Sequence, residues 1–107
     1  LISTPEYNKG PSGVLKNALD WVSRAGGRPW TGKPVAVMSA AAGRAGGERA
    51  QMILRGFMVP FRPDILQGPE IHLAQGGQQF DDNGQLTSEI YIKDLTDLMQ
   101  QLRAKVG

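Results

Sequence analysis

Val35-Ala36-Val37-Met38 is the stretch that most restricts what this chain can fold into. These residues are apolar without interruption between Pro34 and Ser39, too few for a helix. Consecutive rather than alternating apolar residues mark a strand covered on both faces, the usual state of a strand in a parallel sheet. Something must supply that cover, and the flanking sequence does. Upstream, Val14, Leu15, Ala18, Leu19 and Val22 recur at helical spacing, with Lys16, Asn17, Asp20 and Arg24 on the other side. Downstream, a second helix is predicted from about Glu48, with Ala50, Ile53, Leu54, Phe57 and Met58 on one face. A third is predicted from Thr87 or Ser88 to about Lys105. Its stripe is Ile92, Leu95, Leu98, Met99, Leu102 and Val106, with Glu89 early and Arg103 and Lys105 late, as the helix dipole favours.

Between the helices the chain is punctuated by glycine and proline. Leu1 to Ser3 reads as the end of a buried strand, and Pro5 holds Thr4 extended. Lys9-Gly10-Pro11-Ser12-Gly13 is a turn with Ser12 a candidate helix cap, and Gly26-Gly27-Arg28-Pro29 ends the first helix. Pro60, Pro63, Gly68 and Pro69 divide the next stretch into short extended pieces, of which Ile65-Leu66 and Ile71-His72-Leu73 are the strand candidates. Phe80-Asp81-Asp82-Asn83-Gly84 is a turn. The order strand, helix, strand, helix, strand, helix predicts an α/β fold with a parallel sheet and helices on its faces. Leu1 reads as already inside a strand, so residues 1–107 are expected to be the C-terminal part of a single domain. Three strands would leave one raw edge, which invites association.

Composition removes several kinds of chemistry. The net charge of +2 is too small to argue for a nucleic-acid or membrane surface. There is no cysteine, hence no disulfide, thiolate zinc site or thiol nucleophile, which is compatible with a reducing cytoplasm. No apolar run approaches the ~20 residues that cross a bilayer. The lone histidine, His72, lies between Ile71 and Leu73, and a metal site needs several convergent ligands, so a structural or surface role is expected. No Ser sits in a Gly-x-Ser-x-Gly elbow.

Two loops remain as candidates. Ligands in open α/β sheets bind beyond the carboxyl ends of the strands, where Thr4-Pro5-Glu6-Tyr7-Asn8 and Ser39 to Gly47 are expected to lie. In the second, Gly43-Arg44-Ala45-Gly46-Gly47 precedes a helix, and its backbone N–H groups could meet an anion or lie against a ring. It matches neither a P-loop nor a dinucleotide fingerprint, so a tight strand-to-helix turn serves equally well. In the first, Tyr7 offers a flat face and Asn8 a donor and an acceptor, which suits a flavin ring. A proline-initiated loop whose polar residues cap the following helix explains it equally well.

Thr4-Pro5-Glu6-Tyr7-Asn8 followed by Pro11-Ser12-Gly13-Val14-Leu15-Lys16-Asn17-Ala18-Leu19-Asp20-Trp21 closely resembles the NADPH-dependent FMN reductase family. Gly32-Lys33-Pro34-Val35, the loop Ser39 to Gly47, and Phe80 to Gly84 fall where that family has similar stretches. The resemblance implies a flavodoxin-like three-layer α/β/α fold, with this chain carrying strands 3, 4 and 5 of the order 2-1-3-4-5. It implies FMN as cofactor, NADPH or NADH as hydride donor, and quinones, azo dyes, chromate or similar small molecules as acceptors. It also implies a cytoplasmic homodimer or homotetramer. By the same resemblance Pro5, Glu6, Tyr7 and Asn8 would line the flavin ring, and Ser39, Ala40 and Gly43 would approach it from the neighbouring loop. No side chain need act as acid or base, so no catalytic residue is assigned. The family holds the FMN phosphate with a Gly-Ser-x-Arg type loop after its first strand, expected upstream of Leu1. Poor FMN binding by this chain alone is therefore expected, and the alternative is a non-catalytic flavodoxin-like fragment or interaction module.

Overall fold

The computed structural model describes all of residues 1–107. Its elements run β1 (Ile2–Thr4), α1 (Gly13–Ser23), β2 (Pro34–Val35), β3 (Val37–Ala40), α2 (Glu48–Met58), β4 (Asp64–Ile65), β5 (His72–Leu73) and α3 (Glu89–Val106), with short 3-10 turns at Val59–Phe61 and Gly76–Gln78. Every strand pairing is parallel.

The central strand anticipated at Val35 to Met38 runs from Pro34 to Ala40 and changes partners at Ala36. Its first part, β2, pairs with β4, and its second part, β3, lies between β1 and β5 in the order β1-β3-β5. Backbone bonds carry the sheet through the change: the Ala36 carbonyl accepts from Ile2 at 2.8 Å and the Val35 carbonyl from Leu66 at 2.9 Å. The last strand is split as well: Leu66 and Ile71 still bond to the central strand, but residues 67–70, with Gly68 and Pro69 among them, leave the ladder between β4 and β5.

Burial follows the two faces of this strand. Val35 and Val37 point to one side, into a core with Leu19 of α1 and Leu54 and Met58 of α2. Ala36 points to the other, into a core with Leu66, Ile71 and Leu98 of α3, against which Tyr91, Leu95, Met99 and Leu102 also pack. That is the three-layer α/β/α arrangement, and alternate residues of one strand serve both layers because strand side chains alternate in direction.

Each helix starts at a physically sensible place. The Ser12 hydroxyl accepts from the Leu15 N–H at 3.2 Å and caps α1. The Ser88 hydroxyl accepts from the Tyr91 N–H at 3.4 Å at the head of α3. The helix faces differ in detail from their sequence pattern. Val14 in α1 is 80% exposed and Val106 in α3 is 67% exposed. On α3, Tyr91 rather than Ile92 meets the core. On α2 the buried residues are Ala50, Gln51, Leu54 and Met58, so Gln51 takes the inward place expected of Ile53. The reason is the narrowness of each contact. A short sheet covers only part of a helix, and the apolar residues at the stripe's margin fall outside it.

Candidate functional site

The register brings three loops to one end of the sheet. Thr4, the last residue of β1, is level with Ser39 of β3, and Ser39 is level with His72 of β5. The segments that follow these strands therefore leave side by side at the carboxyl end.

The first loop is a tight hairpin. Tyr7 and Gly10 exchange both backbone bonds at 2.9 Å. Between them, Asn8 and Lys9 take positive φ values of 50° and 67°. Two successive positive values describe a type I′ turn, and an Asn is among the residues that tolerate it. The turn thrusts Tyr7 outward, 65% exposed. Glu6 turns the other way: its carboxylate accepts from the N–H of Ala50 at 3.0 Å, at the head of α2. The N-cap position of α2 is Gly47, which has no side chain to offer, so the cap comes from 44 residues away in sequence. A carboxylate there also suits the positive end of the helix dipole.

The second loop is seated firmly. Ser39 is 1% exposed, so its side chain faces the interior rather than the loop's open side. Its hydroxyl donates to the Gly46 carbonyl at 2.6 Å and accepts from the Gln51 side-chain amide at 2.8 Å. A Cβ on Gly46 would land on the backbone carbonyl of His72, and one on Gly47 would sit 2.7 Å from the Ser39 side chain. Glycine is required at both positions for lack of room, in addition to φ values of 65° and 89°. Gly43, by contrast, is exposed with open space around it. None of the N–H groups from Ala42 to Gly47 donates to a backbone carbonyl.

The third loop closes against the second. The Gln75 N–H donates to Gly43 at 2.8 Å, and the Gly76 N–H to Ala41 at 2.9 Å. Tyr91 of α3 pins the start of this loop, since its hydroxyl donates to the His72 carbonyl and accepts from the Ala74 N–H, both at 3.1 Å. The imidazole of His72 lies 4.0 Å from Glu70, so that residue serves the site through its backbone.

Pro5, Glu6, Tyr7 and Asn8 thus sit together on one loop, and Ser39, Ala40 and Gly43 sit on or beside the next. Of their side chains, Tyr7 faces outward, whereas Glu6 and Ser39 are spent on internal bonds. Gln51, Tyr91 and Gln75 were not visible as site residues, because only Ser39's burial and the strand register give them partners. The arrangement offers an outward aromatic face and unengaged amide donors at the exposed residues Ala42 to Ala45, and no acid–base pair.

The sequence model described as NADPH-dependent FMN reductase matches residues 1–78. The chain is 42% identical to an NAD(P)H-dependent FMN reductase of Pseudomonas aeruginosa over 97% of its own length and 55% of that protein's. It is 40% identical to a 2-hydroxy-1,4-benzoquinone reductase of a Burkholderia species, over 99% of this chain and 58% of the other. Among solved structures it is similar to FerB, a flavoenzyme NAD(P)H:(acceptor) oxidoreductase from Paracoccus denitrificans, with a TM-score of 0.75 and 31% identity, covering 98% of this chain and 57% of that one. The chain spans a little over half the length of these relatives.

Proposed function

Because the chain belongs to the NADPH-dependent FMN reductase family, we propose that it forms the flavin-ring side of an FMN-dependent NAD(P)H oxidoreductase that reduces quinones or similar small acceptors. The observation that carries the reading is the meeting of the Tyr7 hairpin and the Ser39-to-Gly47 loop at the carboxyl end of a parallel sheet. The residues fit a flavin. Its ring is flat, which suits the outward Tyr7, and its edge carries acceptor atoms, which suit the unengaged N–H groups of the exposed residues Ala42 to Ala45. FMN when bound supplies hydride chemistry, taking a hydride from NAD(P)H and passing reducing equivalents to an acceptor.

This chain's own residues bind and orient. Pro5 and the hairpin set the height of Tyr7, while Glu6 contributes backbone atoms to the ring and its carboxylate to α2. Asn8 reaches from the turn. Ala40 and Gly43 contribute backbone on the second wall, and Ser39 acts there through the Gly46 carbonyl rather than by direct contact. Azo dyes and chromate belong to the same proposed acceptor class, with NADPH or NADH as donor. We place the protein in the cytoplasm, as the family resemblance implies. No helix is long and apolar enough to cross a membrane. A homodimer or homotetramer is supported by Val14, Trp21 and Met52, which are 80%, 72% and 62% exposed on α1 and α2.

The test is a titration of the purified protein with FMN, followed by flavin fluorescence and by absorbance near ~450 nm, where bound flavin absorbs. Weak but saturable quenching, with slow NADPH consumption on adding a quinone, is expected. An unperturbed flavin signal and no NADPH oxidation would refute the reading. One observation favours a second reading: β1 pairs on one side only, so its outer edge is open. A flavodoxin-like interaction module that associates through this edge and takes no flavin would give that negative result together with self-association.

A further inference from the structure

We infer that the first turns of α2 act as a clamp fixing the gap between the two ring-facing walls, with Glu6 and Gln51 as its positioning residues. The inference rests on the flavin reading above and adds residues to it.

Ala50 and Gln51 are consecutive, and each holds a different wall. The Ala50 N–H takes the Glu6 carboxylate of the Tyr7 hairpin at 3.0 Å. The Gln51 side-chain amide donates to the Ser39 hydroxyl at 2.8 Å and to the Ile71 carbonyl at 2.6 Å, and Ser39 passes the link on to Gly46. One helical turn therefore anchors the loop after β1, the loop after β3, and the residue leading into β5. Because helix backbone is stiff, the distance between the walls is set by this turn rather than by the loops.

The chemistry of Gln51 supports a role beyond packing. It is 2% exposed, between Ala50 and Leu54, both fully buried. A buried amide is unfavourable unless every polar atom is paired, and the Gln51 side-chain oxygen has no partner. Leucine or methionine would fill the place without that cost. What neither could do is donate twice, across to β3 and to the Ile71 carbonyl. Glu6 has the same logic: α2 begins at a glycine that cannot cap it, so the helix start depends on the hairpin being in place.

The test compares Gln51→Met, Glu6→Ala and the conservative Glu6→Gln, with Leu54→Ala as a control that loosens the core without touching either wall. Two readouts are taken: FMN affinity by fluorescence quenching, and amide exchange in the flavin-free protein at Tyr7, Gly10, Gln75 and Gly76. The last two donate to Gly43 and Ala41 of the second wall. Gln51→Met should speed exchange at Gln75 and Gly76 about tenfold, and Glu6→Ala should do the same at Tyr7 and Gly10, the size of a lost buried hydrogen bond. FMN affinity should fall about tenfold in both, while Glu6→Gln, which keeps an acceptor, stays within about threefold of wild type. Leu54→Ala should lower the melting temperature and leave the affinity of the folded protein unchanged. Unaltered exchange at these amides overturns the clamp, and so does altered exchange with unaltered FMN affinity. If the unmutated protein takes up no FMN, the flavin reading fails. The exchange pattern then decides by itself whether α2 holds the two walls.

Discussion

Replacing Gly46 with alanine tests how the second loop is seated. The residue has φ of 65°, a conformation that costs an L-residue about 1–2 kcal/mol. Its new Cβ would fall on the His72 carbonyl group and 2.9 Å from the Ala74 nitrogen. Those are backbone atoms, one of them in β5, so no side chain can rotate aside. Overpacking of this kind costs about 1–3 kcal/mol. Against this stands the smaller entropy of the unfolded alanine chain, worth about 0.4–1 kcal/mol in the opposite direction. The balance is a loss of about 1–5 kcal/mol, centred near ~3, a large part of the ~5–15 kcal/mol that holds a typical domain. Gly43→Ala is the matched control, three residues away on the same loop, with open space around it and no positive φ. Only the unfolded-state contribution applies there, so its stability should match or slightly exceed wild type. Urea unfolding followed by far-ultraviolet circular dichroism separates the two, since with a slope of about 1–3 kcal/mol per molar a 3 kcal/mol loss moves the midpoint by about 1–3 M. Equal midpoints for the two variants would refute the seating argument, because they would mean that the loop yields without cost.

Tyr91→Phe removes the hydroxyl that joins α3 to His72 and Ala74, and should cost about 1–3 kcal/mol in the same unfolding assay. Ser12→Ala, which deletes the cap of α1, should cost about 1 kcal/mol; a midpoint equal to wild type would show that α1 begins without it. Leu54→Ala opens a cavity at a fully buried position between α2 and the sheet, and a loss of about 2–5 kcal/mol is expected by thermal or urea melting. Tyr7→Ala should leave stability within about 0.5 kcal/mol, since the ring is largely exposed. The same change should weaken FMN binding roughly three- to tenfold through lost ring contact, and unchanged FMN binding would remove Tyr7 from the proposed wall.

The local pattern of the chain determined a good deal. Consecutive apolar residues from Val35 to Met38 identified a strand buried on both faces, and the alternation of strands and helices identified the layered α/β fold. Ser12 was readable as a cap, Thr87 or Ser88 as the start of the last helix, and the glycines before Glu48 as a tight entry to a helix. These features are legible because they depend on backbone preferences and side-chain spacing within a few residues. The same reading placed two candidate loops at the carboxyl ends of β1 and β3, which the register sets side by side.

Tertiary structure alone decided what those loops are fastened to. Periodicity favoured Ile53 for the inward face of α2, yet Gln51 is the buried residue, its amide nitrogen held by Ser39 and by the Ile71 carbonyl twenty positions on. Glu6 looked like a polar residue of its own loop, or a cap for the next helix; it caps a helix 44 positions away. Gly68 and Pro69 announced the break in the last strand, but that the central strand changes partners there, pairing with β4 before Ala36 and with β1 and β5 after it, shows only in the register. The physical reason is common to all three. A hydrogen bond between residues far apart in sequence exists only once the sheet has set their register, so neither partner carries a local signal of it.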